Sequence, residues 1–129
     1  MARTPEQQRT LDLVLEMYRE VLVKMDSSKV DQYIAEDYVQ HSSLAPPGRD
    51  SLKAFLDMVR RESPQATQEI RRAFVDGDFV ITHTLVKRFP ADRGFVVADF
   101  FRVEDGKIAE HWDVLMDVPE KPVNPNPVI

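Results

Sequence analysis

Four polar residues, Asp99, Glu110, His111 and Asp113, lie in a segment that is otherwise apolar and strand-like. This segment, 95–119, has runs rich in Val, Phe, Ile and Trp on both sides of Glu-Asp-Gly-Lys, a strong signal for the turn of a β-hairpin. A carboxylate in an apolar strand costs free energy unless it is paired, solvated in a pocket or protonated. The two aspartates are therefore the first candidates for chemistry.

The conformation of the hairpin turn decides whether the two aspartates can act together. A two-residue turn would place Asp99 opposite Trp112 and would send Asp113 to the other face of the sheet. A three-residue loop with Gly106 as a left-handed G1 bulge would pair Asp99 with His111. Asp99, His111 and Asp113 would then share one face of the sheet. The sequence favours the bulge, because glycine stands where the left-handed residue is needed.

Four further residues are candidates for contacting a substrate: Tyr38, His41, His83 and Trp112. His41 follows a strand-like stretch and precedes a flexible loop, so we expect it at the mouth of a pocket with Tyr38. His83 alternates with apolar residues, which places it inside the protein or at an interface, where a buried and hydrogen-bonded histidine is the more frequent case. Trp112 is typical of a core or of a pocket wall. None of the histidines has short ligand spacing such as HxH or HExxH, so we predict no metal and no cofactor.

Composition narrows the class of protein. The chain has 129 residues, 43% of them hydrophobic and 30% charged, which indicates one globular domain over 1–129. A net charge of −5 argues against a nucleic-acid partner. There is no cysteine, which excludes disulfides and a thiol nucleophile. A polar N-terminus and the lack of a long apolar run predict a cytoplasmic protein without a membrane segment.

The order of predicted elements indicates an α+β fold. Thr4 and Pro5 begin a long amphipathic helix that runs to about Met25, and shorter helices are predicted over 28–34 and 50–62. Everything after Pro64 alternates as strands, with a hairpin at Asp76-Gly77 before the one described above. Three helices and four antiparallel strands would pack as helices on one face of a bent sheet. The tail 118–129 is rich in proline and is expected to lie extended.

One residue pattern makes a resemblance to a known family specific. The pattern consists of Tyr-Val-Gln-His at 38–41, Asp-Phe-Phe-Arg at 99–102, and Asp-Gly-Lys-Ile-Ala-Glu-His-Trp-Asp-Val at 105–114. It resembles the SnoaL-like proteins of the nuclear-transport-factor-2-like superfamily, and especially a bacterial branch described as predicted aldol-condensation-catalysing proteins. The resemblance implies a cone-shaped barrel, usually dimeric, in which three helices pack on a curved, mainly antiparallel sheet. It also implies cyclase chemistry without metal or cofactor, and it places the acid/base carboxylate at Asp113.

The residues support this chemistry independently. Aldol condensation needs a base to remove a proton α to a carbonyl group and an acid to protonate the new alkoxide. Desolvation in an apolar pocket strengthens a carboxylate as a base, so an inward-pointing Asp113 could serve both steps, sharing its proton with Asp99 or being oriented by His111. In the alternative, Arg102, His111 or backbone N–H groups satisfy both aspartates, and the domain is a non-catalytic module for binding small molecules or for dimerisation.

We therefore predict an enzyme of the lyase or isomerase type that acts on a small hydrophobic carbonyl compound. We also predict a homodimer formed through the outer face of the sheet, because strand parity places five apolar residues opposite the pocket: Val80, Val86, Val96, Phe100 and Trp112.

Overall fold

The first half of the chain is mainly helical in the computed structural model, which describes residues 2–129. Its helices are α1 (Pro5–Met17), which continues as a π-helix (Tyr18–Val23), then a 3₁₀ turn (Ser27–Lys29), α2 (Val30–Tyr33) and α3 (Arg49–Glu62). Thr4 begins α1 with a capping box, in which Thr4 and Gln7 each accept the other's backbone N–H. An apolar stripe of this helix is buried at helical spacing, and it comprises Leu11, Val14, Met17, Tyr18 and Val21.

A five-stranded sheet packs against the helices, with its first strand placed between α2 and α3 in the chain. Its strands are β1 (Ile34–Gln40), β2 (Thr67–Asp76), β3 (Phe79–Lys87), β4 (Phe95–Glu104) and β5 (Lys107–Asp117). The strand order is β1-β5-β4-β3-β2, with β1 parallel to β5 and all other neighbours antiparallel. The predicted α+β fold with a curved, mainly antiparallel sheet is thus confirmed. The prediction of four strands was wrong, because the chain becomes extended at Ile34 and adds β1 along the β5 edge.

The register between β4 and β5 differs from the prediction of a three-residue loop. Asp105 and Gly106 form a two-residue turn, with φ values of 51° and 73°, and Glu104 pairs with Lys107. A β-bulge around Ala109 then adds one residue to β5 and shifts the pairing. The predicted G1 bulge at Gly106 was therefore wrong.

The bulge determines which side chains of the hairpin share a face. Beyond it, Asp99 pairs with Asp113, and Phe101 rather than Asp99 pairs with His111. The extra residue offsets the change of parity that a two-residue turn alone would have caused. Asp99, His111 and Asp113 consequently still lie on one face of the sheet, as the sequence predicted.

The helices cover one face of the sheet, here called the inner face. Tyr18, Val80 and Phe101 pack there in one hydrophobic core with the apolar stripe of α1. Val80 is fully buried in this core and Val86 lines a cavity on the same face, so their predicted outer position was wrong. The β3–β4 pairing explains the difference, because Val80 lies beside Phe101 and Val86 beside Phe95.

The opposite, outer face of the sheet carries no helix and exposes a set of apolar side chains. One row across β2 to β5 consists of paired residues, Phe74, Ile81, Phe100 and Trp112. Phe74, Phe79, Val114 and Met116 are 54%, 38%, 66% and 52% exposed. No helix among residues 2–129 is long and apolar enough to cross a membrane.

Candidate active site

A cavity of about 440 Å³ lies between the inner face of the sheet and the helices. Its wall is mostly apolar, and Leu52, Phe55 and Val59 of α3 contribute to it. The polar groups are concentrated on the sheet side, where β1, β4 and β5 contribute Tyr38, Gln40, Asp99, His111 and Asp113. A predominantly apolar pocket with a few converging polar groups is the usual form of a small-molecule site.

Asp99 is the most firmly held of these groups. The residue is only 7% exposed, and each of its carboxylate oxygens has a partner. The Tyr18 hydroxyl donates to Oδ2 at 2.5 Å, and His111 Nε2 lies 2.7 Å from Oδ1. Thr82 Oγ1, on the strand next to Asp99, lies 2.9 Å from the Tyr18 oxygen. Asp99 is thus anchored on β4 from both the helix layer and the neighbouring strand.

Tyr18 was predicted to belong to the core, and it does, but its hydroxyl also contacts the candidate site. Burial raises the pKa of Tyr18 well above its usual value, and the neighbouring Asp99 carboxylate raises it further. The hydroxyl therefore keeps its proton and remains a donor to Asp99. Helical periodicity could identify the buried stripe, but it carried no signal for this contact across the sheet.

Asp113 lies directly opposite Asp99 but is in a different situation. It lines the cavity, it is half-buried, and no hydrogen bond joins its carboxylate to another side chain within residues 2–129. Arg102, one of its possible structural partners, instead binds Glu110 at 2.9 Å and Glu104 at 3.2 Å. Asp113 is therefore the carboxylate that remains available to a ligand.

A second set of hydrogen bonds joins His111 to the end of β1. His111 Nδ1 lies 2.7 Å from Gln40 Oε1, and the same oxygen accepts the backbone N–H of Ser42 at 3.1 Å. The Gln40 amide nitrogen donates to the Tyr38 hydroxyl at 2.9 Å. Gln40 was not singled out from the sequence, although the alternation Tyr-Val-Gln-His could have placed it on the same face as Tyr38.

The other three predicted substrate contacts lie on the outer face, so the structure corrects the expectation that they line the pocket. His41 stacks on Trp112 with ring centroids 4.7 Å apart, and its Nε2 lies 2.6 Å from Glu110. His83 is half-buried and hydrogen-bonds Arg72. The reason is parity: His41 is one residue beyond Gln40, Trp112 adjoins His111, and His83 pairs with Ala98 rather than with an inner residue.

The site also contains a group of possible metal ligands that linear spacing did not reveal. Asp99, His111 and Asp113 each offer one ligand atom, and these atoms lie within 4.8 Å of one another. Two of the three already bind each other, because His111 Nε2 and Asp99 Oδ1 are 2.7 Å apart. A cation would therefore have to break that bond, whereas Asp113 alone is free to bind a ligand.

Comparison with known families agrees with the fold. The model of the SnoaL-like domain family matches residues 14–111, and the chain belongs to this family. The match includes α1 from Val14 onward, the first four strands and β5 as far as His111. A comparison with curated protein sequences finds no significant match.

Several solved structures share the fold. A proposed polyketide cyclase from Bacillus cereus is 23% identical, with a TM-score of 0.75 over 88% of this chain and 78% of its own. IdmH from Streptomyces antibioticus, also a proposed polyketide cyclase, is 22% identical, with a TM-score of 0.67 over 82% of this chain and 91% of its own. A proposed SnoaL-like isomerase from Agrobacterium tumefaciens is 16% identical, with a TM-score of 0.70 over 84% of this chain and 98% of its own. At these identities the likeness concerns the fold alone.

Proposed function

We propose that this protein is a cofactor-independent enzyme that acts on a small hydrophobic carbonyl compound by acid/base catalysis, in an aldol condensation, cyclisation or isomerisation. The observation that carries the proposal is the Asp113 carboxylate, which lines an apolar cavity and has no side-chain partner among the described residues. The names of the structural neighbours, cyclases and an isomerase, point to the same class of reaction.

In the proposed mechanism, Asp113 removes a proton from the carbon α to the substrate carbonyl. The Tyr38 hydroxyl, which lines the same cavity, donates a hydrogen bond to the carbonyl oxygen as negative charge develops there. Burial raises the pKa of Tyr38, and the charges of Asp99 and Asp113 raise it further, so the hydroxyl stays protonated. After carbon–carbon bond formation or rearrangement, Asp113 returns its proton to the product.

Asp99 and His111 support this step without leaving their own hydrogen bonds. Their side chains are about 11% exposed each, and Nε2 lies 2.7 Å from Oδ1, so the Asp99 carboxylate is hydrogen-bonded to the imidazole. This bond and the one from Tyr18 occupy both oxygens of Asp99. Asp113 is therefore the carboxylate that faces the cavity and can act as the base.

Exchange of α-protons for deuterium tests the proposal without knowledge of the natural substrate. A panel of small aryl and alkyl ketones is incubated in D₂O with wild type, and loss of the α-proton signal is followed by NMR. We expect Asp113→Asn to lower the exchange rate of any active ketone by about 10²–10⁴-fold. The matched control is Asp117→Asn on the same strand, since Asp117 is exposed and outside the cavity. Equal rates for wild type and Asp113→Asn would overturn the proposal.

We further propose that two copies associate through the outer face of the sheet. The exposed apolar residues Phe74, Phe79, Val114 and Met116 support a second copy as the partner, because together they would leave a large apolar patch in water. Val80 and Val86, which the sequence placed in this interface, lie on the inner face and take no part in it. In this arrangement the cavity would remain on the opposite side of each sheet.

A further inference from the structure

Gln40 connects two hydrogen-bonding groups of the cavity. It is the last residue of β1, and its backbone pairs in parallel with His111 of β5. Its side chain lies on the inner face with its oxygen near His111 and its nitrogen near Tyr38. The two ends of one amide group thus contact two different residues of the candidate active site.

The orientation of this amide is determined by Ser42. The backbone N–H of Ser42 can only donate, and it points at the Gln40 side chain over 3.1 Å. The atom that it meets must therefore be the carbonyl oxygen. The amide nitrogen, with its two hydrogens, is then directed to the Tyr38 oxygen, 2.9 Å away.

This orientation determines the state of His111. Since the Gln40 oxygen cannot donate, the nitrogen that lies 2.7 Å from it, Nδ1, must carry a hydrogen. The other nitrogen, Nε2, faces Asp99. The imidazole is consequently held at both nitrogens and offers no lone pair to a ligand in the cavity.

The same orientation determines what Tyr38 can do. A hydrogen of the Gln40 amide occupies a lone pair of the Tyr38 oxygen, so the hydroxyl hydrogen must point elsewhere. No acceptor for that hydrogen occurs among the side-chain hydrogen bonds of residues 2–129, and Tyr38 lines the cavity. The hydroxyl is therefore an available donor to a ligand.

We propose that Gln40 is a positioning residue that sets the hydrogen-bond polarity of the cavity, holding His111 as an Nδ1–H donor and Tyr38 as a donor to the substrate oxygen. The inference rests on the proposed function for the identity of the ligand, a carbonyl compound whose oxygen accepts from Tyr38. The proposed role of Gln40 implies that the cavity binds carbonyl compounds more tightly than hydrocarbons of the same shape. This selectivity does not require that the protein convert the carbonyl compound to a product.

Two Gln40 variants separate its effect on the Tyr38 hydroxyl from its effect on the His111 imidazole. In Gln40→Glu, one oxygen still accepts from Ser42 and from His111, but the other becomes an acceptor that draws the Tyr38 hydrogen out of the cavity. In Gln40→Met, His111 loses its acceptor. The probes are 2-acetylnaphthalene and 2-isopropylnaphthalene, which are similar in shape and differ in the carbonyl oxygen. The His111 state is read from ¹H–¹⁵N spectra, with His41→Gln and His83→Gln used for assignment.

We expect wild type to bind the ketone roughly three- to tenfold more tightly than the hydrocarbon, which is the usual net effect of one hydrogen bond. Gln40→Glu should abolish this preference and keep the Nδ1–H signal, whereas Gln40→Met should lose the signal. A purely structural Gln40 would weaken both probes equally and leave their ratio unchanged, which would overturn the proposal. The proposal would also be overturned if His111 Nδ1 carried no hydrogen in wild type, or if wild type bound the two probes equally tightly.

Failure of the proposed function would be seen separately. Asp113→Asn leaves Gln40, Ser42 and His111 in place, so the Nδ1–H signal should persist in that variant. If α-proton exchange shows no dependence on Asp113 while the probe ratio depends on Gln40, only the catalytic role of Asp113 is lost.

Discussion

Asp99 and Asp113 face each other as a directly paired couple on β4 and β5, yet only Asp99 is hydrogen-bonded to other side chains of the described chain. Tyr18 and His111 each occupy one oxygen of Asp99, while Asp113 faces the cavity. The two residues have the same chemical group but different surroundings. This asymmetry assigns the anchoring role to Asp99 and the acid/base role to Asp113 in our proposal.

The stability of Asp113→Asn distinguishes a functional from a structural Asp113. Because no ion pair to Asp113 exists within residues 2–129, we expect the melting temperature of the variant to equal or exceed that of wild type. A structural ion-pair partner would instead leave a buried cation unpaired when it is removed. Thermal melts of wild type, Asp113→Asn and Asp117→Asn make the comparison, and a clear drop for Asp113→Asn alone would contradict the catalytic assignment.

Removing the Tyr18 hydroxyl should destabilise the protein. Tyr18→Phe keeps the ring in the core but leaves Oδ2 of buried Asp99 without its donor, which costs about 1–3 kcal/mol of unfolding free energy. The matched control is Tyr33→Phe. The Tyr33 hydroxyl donates to the exposed Glu16, where water can take its place, so the unfolding free energy should change by no more than about 0.5 kcal/mol. Urea unfolding of the three proteins measures both values. Equal losses in the two variants would show that the Tyr18–Asp99 bond adds no stability.

Ionisation of the tyrosines should require a higher pH than in free tyrosine. Burial is the main cause that raises the pKa of all three, Tyr18, Tyr33 and Tyr38. The unfolded chain loses these protons near pH 10, before the folded chain does, so stability is complete below pH 10 and falls as the pH rises above it. We expect less tyrosinate absorbance at pH 10 in the folded protein than in the same chain unfolded in urea. Half-ionised tyrosine at pH 10 in a folded protein would contradict this.

Metal chelation should change neither stability nor activity. The three possible ligands are close together, but His111 and Asp99 are bound to each other, and the proposed reaction uses only Asp113 and Tyr38. Melting temperature and α-proton exchange are measured before and after treatment with EDTA and again after addition of Zn²⁺, Mn²⁺ or Mg²⁺. A loss on chelation that one of these ions restores would show that the cluster is a metal site.

Association through the outer face should depend on its exposed apolar residues. We expect sedimentation velocity to show a dimer at micromolar concentration, and Val114→Lys with Met116→Lys to dissociate it by placing charges in the interface. Val123→Lys is the control, since Val123 is fully exposed and lies in the tail beyond the last strand. A monomeric wild type would contradict the proposed dimer.

Much of the fold could be predicted from local sequence, because its determinants are local. The capping residues Thr4 and Pro5, the helical stripe of α1 and the alternation of the strands each depend on neighbouring residues. The choice of Asp99, His111 and Asp113 also came from sequence, since polar groups in an apolar strand stand out against their neighbours. Their family resemblance was visible in the same segment.

The tertiary structure decided what depends on contacts between distant segments. Gly106 predicted a turn, but the pairing of Asp99 with Asp113 depends on the bulge around Ala109, which local patterns do not reveal. Likewise, the role of His41 depends on the parallel pairing of β1 with β5, which sends its side chain to the outer face.

The sequence therefore determined which groups are available, and the fold determined which of them are free. Asp99 and Asp113 are chemically identical in the sequence. Tyr18, 81 residues away along the chain from Asp99, reaches only one of them, because the helix that carries it packs on the inner face of the sheet. A hydrogen bond of that range is a property of packing, and it is what leaves Asp113 as the unpaired carboxylate.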